Sequence, residues 1–218
     1  MLDKDVAVRV LLDVIKYYPR HHERRDPFYV LISTVLSQRT RDANTDEASR
    51  NLFKVFPTAY ELSKAKKEEV EKLIKPAGMY KQKAERIVEI AREIVQKYNG
   101  KVPNDLESLL KLKGVGRKTA NIVLAVSFGV PAIAVDVHVH RITNRMGIVK
   151  TEKPEETEME LMKILPKKYW TKLNGALVNF GQQVCTPRNP RCAECMFREV
   201  CEYGRRNASE ASEVGDGK

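Results

Sequence analysis

The apolar positions of this 218-residue chain recur at helical spacing along most of its length. Between Asp5 and Tyr18, the side chains of Val6, Val10, Leu11 and Ile15 share one face, and Pro19 ends the pattern. Phe28 to Leu36 is strongly apolar, as a core helix should be, and Asp42 or Thr45 can cap the next helix, through Phe53. A short segment from Thr58 and a helix over Lys66–Ile74 lead to Gly78-Met79-Tyr80-Lys81, which breaks the periodicity. Lys83 to Tyr98 then turns Ala84, Ile87, Ile90, Ala91, Ile94 and Val95 inward, and Asn99-Gly100 closes it. Further helices are expected from Asp136 to about Met146, from Lys153-Pro154 to Leu165, and from Tyr169 to Val184. No alternating run is bounded by hairpin dipeptides, so the expected fold class is all-α. From Arg205 to Lys218 there is almost nothing apolar to pack, and that tail is expected to be disordered.

The pattern has one hinge. Leu106, Leu109, Leu110 and Leu112 form a helical stripe, and Asn121 to Phe128 is apolar nearly all round. Between them lies Leu112-Lys113-Gly114-Val115-Gly116-Arg117-Lys118-Thr119-Ala120. Two helices therefore meet at a hairpin with two glycines, with Val115 free to plug the core between them. The second helix starts near Arg117, so the N–H groups around Gly116 point outward at a positive dipole end, which is a phosphate site. A nucleotide P-loop is excluded, because it needs Gly directly before the Lys and Arg117 stands there. Farther on, the apolar run Val130–Val135 ends abruptly at Asp136, which can cap the next helix and hold a carboxylate in a fixed place. Lys118 at one buried helix start and Asp136 at another make a candidate amine–carboxylate pair.

Charge narrows the class of partner. The formal charge is +10, with an isoelectric point near 9.4. The last fourteen residues carry three basic and three acidic side chains, so the excess sits on the folded part and favours a polyanion such as nucleic acid. The start is charged and no apolar run approaches the length of a membrane span, so an intracellular protein, without signal peptide or membrane partner, is expected. His21 and His22 have no partners at metal-ligand spacing and read as surface residues.

All four cysteines fall between Cys185 and Cys201, spaced C-x6-C-x2-C-x5-C through Cys192 and Cys195. A compact set of four thiols in an intracellular chain argues for a metal rather than disulfides. From the spacing alone, zinc and a 4Fe–4S cluster both fit four thiolates. The wide first loop carries Arg188 and Arg191, which suit DNA phosphates.

The hairpin Leu112–Ala120, Asp136 and the cysteine spacing together resemble the helix-hairpin-helix Gly-Pro-Asp DNA glycosylase superfamily, and within it the endonuclease III family. The resemblance runs from about Pro27 to Tyr203. It implies two helical lobes with a DNA-binding cleft between them. A six-helix barrel carrying the hairpin would cover residues 23–132, and residues 1–22 with 133–204 would form an iron–sulfur cluster domain. The cysteine spacing matches the family's cluster loop in every interval, which implies a structural 4Fe–4S cluster on Cys185, Cys192, Cys195 and Cys201. Partners implied are double-stranded DNA with a damaged pyrimidine or an abasic site, bound by a monomer in the cytoplasm with the nucleoid.

Residue by residue, the resemblance makes Lys118 the nucleophile and Asp136 the carboxylate that stabilises positive charge on the sugar. Gly114, Val115, Gly116 and Arg117 would lie on the DNA backbone. The family fills the gap left by an extruded base with a polar side chain, often Gln, and an apolar wedge. Aligning Ser37 and Asp42 puts Arg39 rather than Gln38 at the first position, and Met79 corresponds to the wedge. His138 matches a residue near the flipped base, and Arg141, with Arg145, lies on the polar side of the helix after Asp136.

A free lysine has a pKa of about 10.4, so roughly one in a few thousand is a neutral nucleophile at pH 7 and needs help from its surroundings. Relatives that only release bases carry Ser or Tyr at this place, so Lys118 implies glycosylase and lyase activity together. The rival classes are a mismatch glycosylase without lyase activity and a non-enzymatic hairpin module that binds duplex phosphates.

Overall fold

The computed structural model describes residues 1–20 and 24–213, with side chains through Asn207. Every regular element among them is helical. In order these are α1 (Lys4–Tyr17), α2 (Pro27–Ser37), α3 (Asp42–Val55), α4 (Ala59–Ser63), α5 (Lys67–Leu73), α6 (Tyr80–Tyr98), α7 (Leu106–Leu110), α8 (Arg117–Val123), α9 (Val137–Met146), α10 (Pro154–Ile164), α11 (Trp170–Gln183) and α12 (Glu202–Glu213). No described helix is long and apolar enough to cross a membrane.

The chain divides into two compact units, residues 22–132 and residues 1–21 with 133–218. In the first, α2 is the central element. Leu31, Ile32, Val35 and Leu36 are fully buried, and α2 packs on α3, α6 and α8. Asp26 starts α2 by accepting the N–H of Tyr29, and Pro27 occupies the first turn, where its missing donor costs nothing. The inward stripe of α6 (Ala84, Ile87, Ile90, Ala91, Ile94) seals the core against α4 and α5. A fully buried Leu or Ile side chain contributes on the order of 1.5–3 kcal/mol, so this stripe drives the assembly more than helix propensity does.

In the second unit, α11 buries Leu173, Leu177 and Phe180 against α1 and α9. Phe180 sits edge-on to both Tyr18 and Phe197. Gly181 permits the approach of α9, because a Cβ there would lie 2.5 Å from Nδ1 of His138.

Three local expectations need correction. Neither Asp42 nor Thr45 caps α3: Arg41 is the N-cap, without a side-chain bond, and Thr45 instead donates back to the Arg41 carbonyl. The apolar stretch after the hairpin widens into a π-helical turn at Leu124–Phe128, and Ile122, Val126 and Phe128 are only partly buried. The tail is not disordered from Arg205: α12 runs to Glu213, and beyond Gly204 its Arg205, Arg206, Ala208, Glu210, Ala211 and Glu213 are good helix formers. The remaining tail residues, and His21 and His22, lie outside the described residues.

Candidate active site

The hairpin is built from the short helix α7 and the start of α8. Asp105 caps α7 through the N–H of Ser108. Gly114 takes φ +79°, and a Cβ there would lie 2.8 Å from Cδ of Arg86. The left-handed turn and the close approach of Arg86 both demand glycine. Val115 is 5% exposed and plugs the core of its unit. Gly116 differs: its φ of −89° suits any residue, and nothing in the chain lies within 4 Å of an added Cβ. Its missing side chain leaves the start of α8 open from outside, and no side chain caps that start. The hairpin is held from behind by Glu93, whose Oε1 accepts the Lys113 N–H at 3.0 Å while Oε2 takes Nζ of Lys97 at 2.6 Å. Burial pushes the Glu93 carboxyl up, but these two bonds outweigh it and hold it below its ordinary value.

Lys118 stands in the first turn of α8 and is exposed, not buried as expected. The core-facing positions of that turn go to Thr119 and Ala120 instead.

In the other unit, Asp136 caps α9. Its Oδ1 accepts the N–H groups of His138 and Val139, both at 2.9 Å. The carboxylate is thus fixed by backbone donors and lies partly exposed. Arg141 and Arg145, on the polar side of α9, turn toward the cysteine loop. Nη2 of Arg141 donates to the Cys185 carbonyl at 3.0 Å and meets Nδ1 of His138 at 3.2 Å; burial lowers the Arg141 pKa. Arg145 donates to the carbonyls of Thr186 and Pro187 at 2.7 and 2.6 Å and stacks on Tyr203. The helix that carries Asp136 is therefore clamped to the start of the cysteine loop, and Arg141 is an internal tie rather than an outward contact.

All four cysteines line one pocket, with Phe180, Val184 and Tyr203 among its walls. N–H donors point at its sulfurs: Gly204 N to Cys201 Sγ at 3.3 Å and Arg145 Nη1 to Cys185 Sγ at 3.7 Å. Such donors favour thiolates. Burial, and then the neighbouring cysteines, push the thiols of Cys195 and Cys201 up, a cost that a bound cationic group removes. Yet no three His, Cys, Asp or Glu side chains among the described residues gather around one metal ion. Four thiols lining one pocket fit a group bound by four thiolates, whether a zinc ion or an iron–sulfur cluster. Arg188 and Arg191 are exposed on the loop, which Thr186 closes through the Asn189 carbonyl.

Residues 32–167 match the family described as the HhH-GPD superfamily of base excision DNA repair proteins. The chain belongs to this family. It is 60% identical over 194 residues to endonuclease III of Thermotoga maritima, covering 89% of this chain and 91% of that one. Endonuclease III of Bacillus subtilis is 38% identical, covering 83% of each. The solved structure of a trapped covalent intermediate between endonuclease III and DNA, in an estranged-adenine complex, superposes with a TM-score of 0.90 at 38% identity, over 95% of this chain and all of that one. The chain is thus a base excision repair DNA glycosylase with abasic-site lyase activity.

Two further residues of the first unit were not singled out from the sequence. Lys83 is 4% exposed, and its ammonium bonds the Leu36 carbonyl, the Thr40 hydroxyl and the Ala77 carbonyl at 2.8, 2.7 and 2.9 Å. Burial, and then Arg86, lower its pKa. Arg86 donates to Oε1 of Gln38 at 3.0 Å. The signal was present: Lys83 lies four residues before Ile87, on the inward stripe of α6, where a charge needs a reason.

Proposed function

We propose that this enzyme removes oxidised or ring-saturated pyrimidines from duplex DNA and cuts the strand at the resulting abasic site through a lysine imine. Lys118 attacks C1′ of the flipped nucleotide. The C1′–N bond breaks, and the base leaves with its electron pair and takes up a proton. Loss of a proton from the amine nitrogen and opening of the sugar give a Schiff base at C1′. Removal of a C2′ proton then expels the 3′ phosphate oxygen by β-elimination. Asp136 stabilises the positive charge that develops on the sugar and assists proton transfer. Gly114, Val115, Gly116 and Arg117 take the phosphate backbone, with Arg188 and Arg191. Arg39 or Gln38 fills the gap left by the flipped base and Met79 wedges beside it, while His138 lies near the extruded base.

Cys185, Cys192, Cys195 and Cys201 would hold a 4Fe–4S cluster. When bound, it cross-links the loop that carries Arg188 and Arg191 and leaves no open coordination position. The protein acts as a monomer on DNA in the cytoplasm.

The observation that carries the reading is an exposed lysine in the first turn after the open Gly116. A reactive amine there meets whatever backbone the hairpin holds. The test is a duplex with one thymine glycol, analysed with and without alkali. Strand cleavage without alkali, ending in an unsaturated aldehyde, is expected. Base release that needs alkali for cleavage would instead assign the protein to the monofunctional glycosylases.

A further inference from the structure

Lys83 is a buried ammonium whose three polar partners are all neutral. Its three donors meet three acceptors. Two of these, the carbonyls of Leu36 and Ala77, lie at the C-terminal ends of α2 and of the 3-10 turn Lys75–Ala77. Helix ends leave such carbonyls without partners and favour a cation. The third, the Thr40 hydroxyl, also donates to the Ala77 carbonyl, so it ties the two ends together directly.

The backbone just beyond each end is unusual. Arg39 has φ +54° and Met79 has φ +46°, both left-handed, and Met79 is 50% exposed. Neither side chain favours this region, and the conformations persist only where the surroundings enforce them. Arg39 adjoins Thr40, and Met79 lies two residues past Ala77. Arg86, three residues after Lys83 on α6, binds Gln38 and packs beside Gly114. Thus α6 carries two cations whose partners all lie in or next to loops exposed on this unit.

We propose that Lys83 is a positioning residue that locks the Gln38–Arg41 loop to the Gly78–Met79 turn, so that Arg39 and Met79 are presented to the duplex as one preset pair. This rests on the reading that these two residues occupy and wedge the gap behind a flipped base. A flexible pair would have to be ordered at each encounter, whereas a preset pair enters the stack without that cost. Lys83 itself touches no DNA and acts only through the loops.

The test compares two substrates in single-turnover cleavage. One is a damaged base in a duplex, which must be opened. The other is an abasic site in a single strand, which needs no gap filling. Lys83→Met removes all three bonds of the ammonium but leaves the Thr40 hydroxyl its bond to the Ala77 carbonyl, and Thr40→Val removes only the hydroxyl link. Both should slow the duplex reaction, Lys83→Met by roughly 10- to 100-fold, as displaced positioning groups do. Both should leave the single-strand reaction essentially unchanged, and Lys83→Arg should recover part of the loss. A 2-aminopurine opposite the lesion should lose its fluorescence rise on binding to either variant at saturating protein. Equal slowing on both substrates, or no duplex-selective loss in Thr40→Val should Lys83→Met fail to fold, overturns the proposal. Met79→Ala and Arg39→Ala separate the layers. If they show the duplex-selective loss and the Lys83 and Thr40 variants do not, the lock alone is wrong. If they show none, the gap-filling reading beneath it fails, and the proposal with it.

Discussion

Oδ1 of Asp136 accepts the backbone N–H of Val139 at 2.9 Å, so the carboxylate assigned to the chemistry is also the cap of α9. The two roles separate by substitution. Asp136→Asn keeps an oxygen for the cap and should cost only a few tenths of a kcal/mol, whereas Asp136→Ala should cost about 1 kcal/mol. Both should reduce base release by two orders of magnitude or so, as loss of one preorganised electrostatic group does. Urea unfolding and single-turnover kinetics on the same preparations check this. Loss of activity only in the alanine variant would make Asp136 a cap and nothing more.

Glu93 gives a pH dependence. Burial pushes its carboxyl up, but the bonds from Lys97 and from the Lys113 N–H hold it below its ordinary value. The folded pKa is depressed, so its contribution is full above the unfolded value and is lost as pH falls through the folded one. The stability gap between the wild type and Glu93→Gln should therefore be constant above about pH 5 and close progressively below the unfolded value of about 4.3. Denaturant titrations from neutral to acid pH read it directly.

Arg145 holds two carbonyls at the start of the cysteine loop. Arg145→Met removes charge-assisted bonds worth about 1.5–3 kcal/mol each, less whatever water replaces. The variant should unfold at lower urea and, if the four cysteines hold the proposed 4Fe–4S cluster, release iron faster under chelation, with its starting iron and sulfide contents in equal amounts.

Arg188 and Arg191 are exposed on that loop. If each neutralises a phosphate, Arg188→Ala and Arg191→Ala should weaken binding uniformly across sequences and flatten the dependence of log K on log salt by about 1 each. Unchanged slopes would make them solvated surface residues.

The helices were legible because apolar stripes such as Leu31–Leu36 and Ala84–Val95 leave few alternatives. The hairpin was legible because two glycines with different duties bracket one buried valine. Direction within a helix was not. Arg141 and Arg145 sit on the polar face of α9, and only the tertiary structure turns that face onto the carbonyls of Cys185, Thr186 and Pro187. The exposure of Lys118 was not legible for a similar reason: packing decides that Thr119 and Ala120, rather than Lys118, take the core-facing positions of the first turn of α8. The burial of Lys83 was not legible, because long charged side chains on a helix usually reach solvent and its partners lie far away in sequence, at Leu36 and Thr40. The helix to Glu213 has no apolar stripe to announce it.

Borohydride reduction during reaction tests the central claim most directly. A labelled duplex with one thymine glycol is incubated with the wild type, Lys118→Gln and Asp136→Asn under reducing conditions. The expected result is a covalent protein–DNA band that disappears with Lys118→Gln and forms slowly with Asp136→Asn. A wild-type band that persists undiminished in Lys118→Gln, or no band from protein that releases the base, would contradict the imine mechanism and return Lys118 to the role of a phosphate contact.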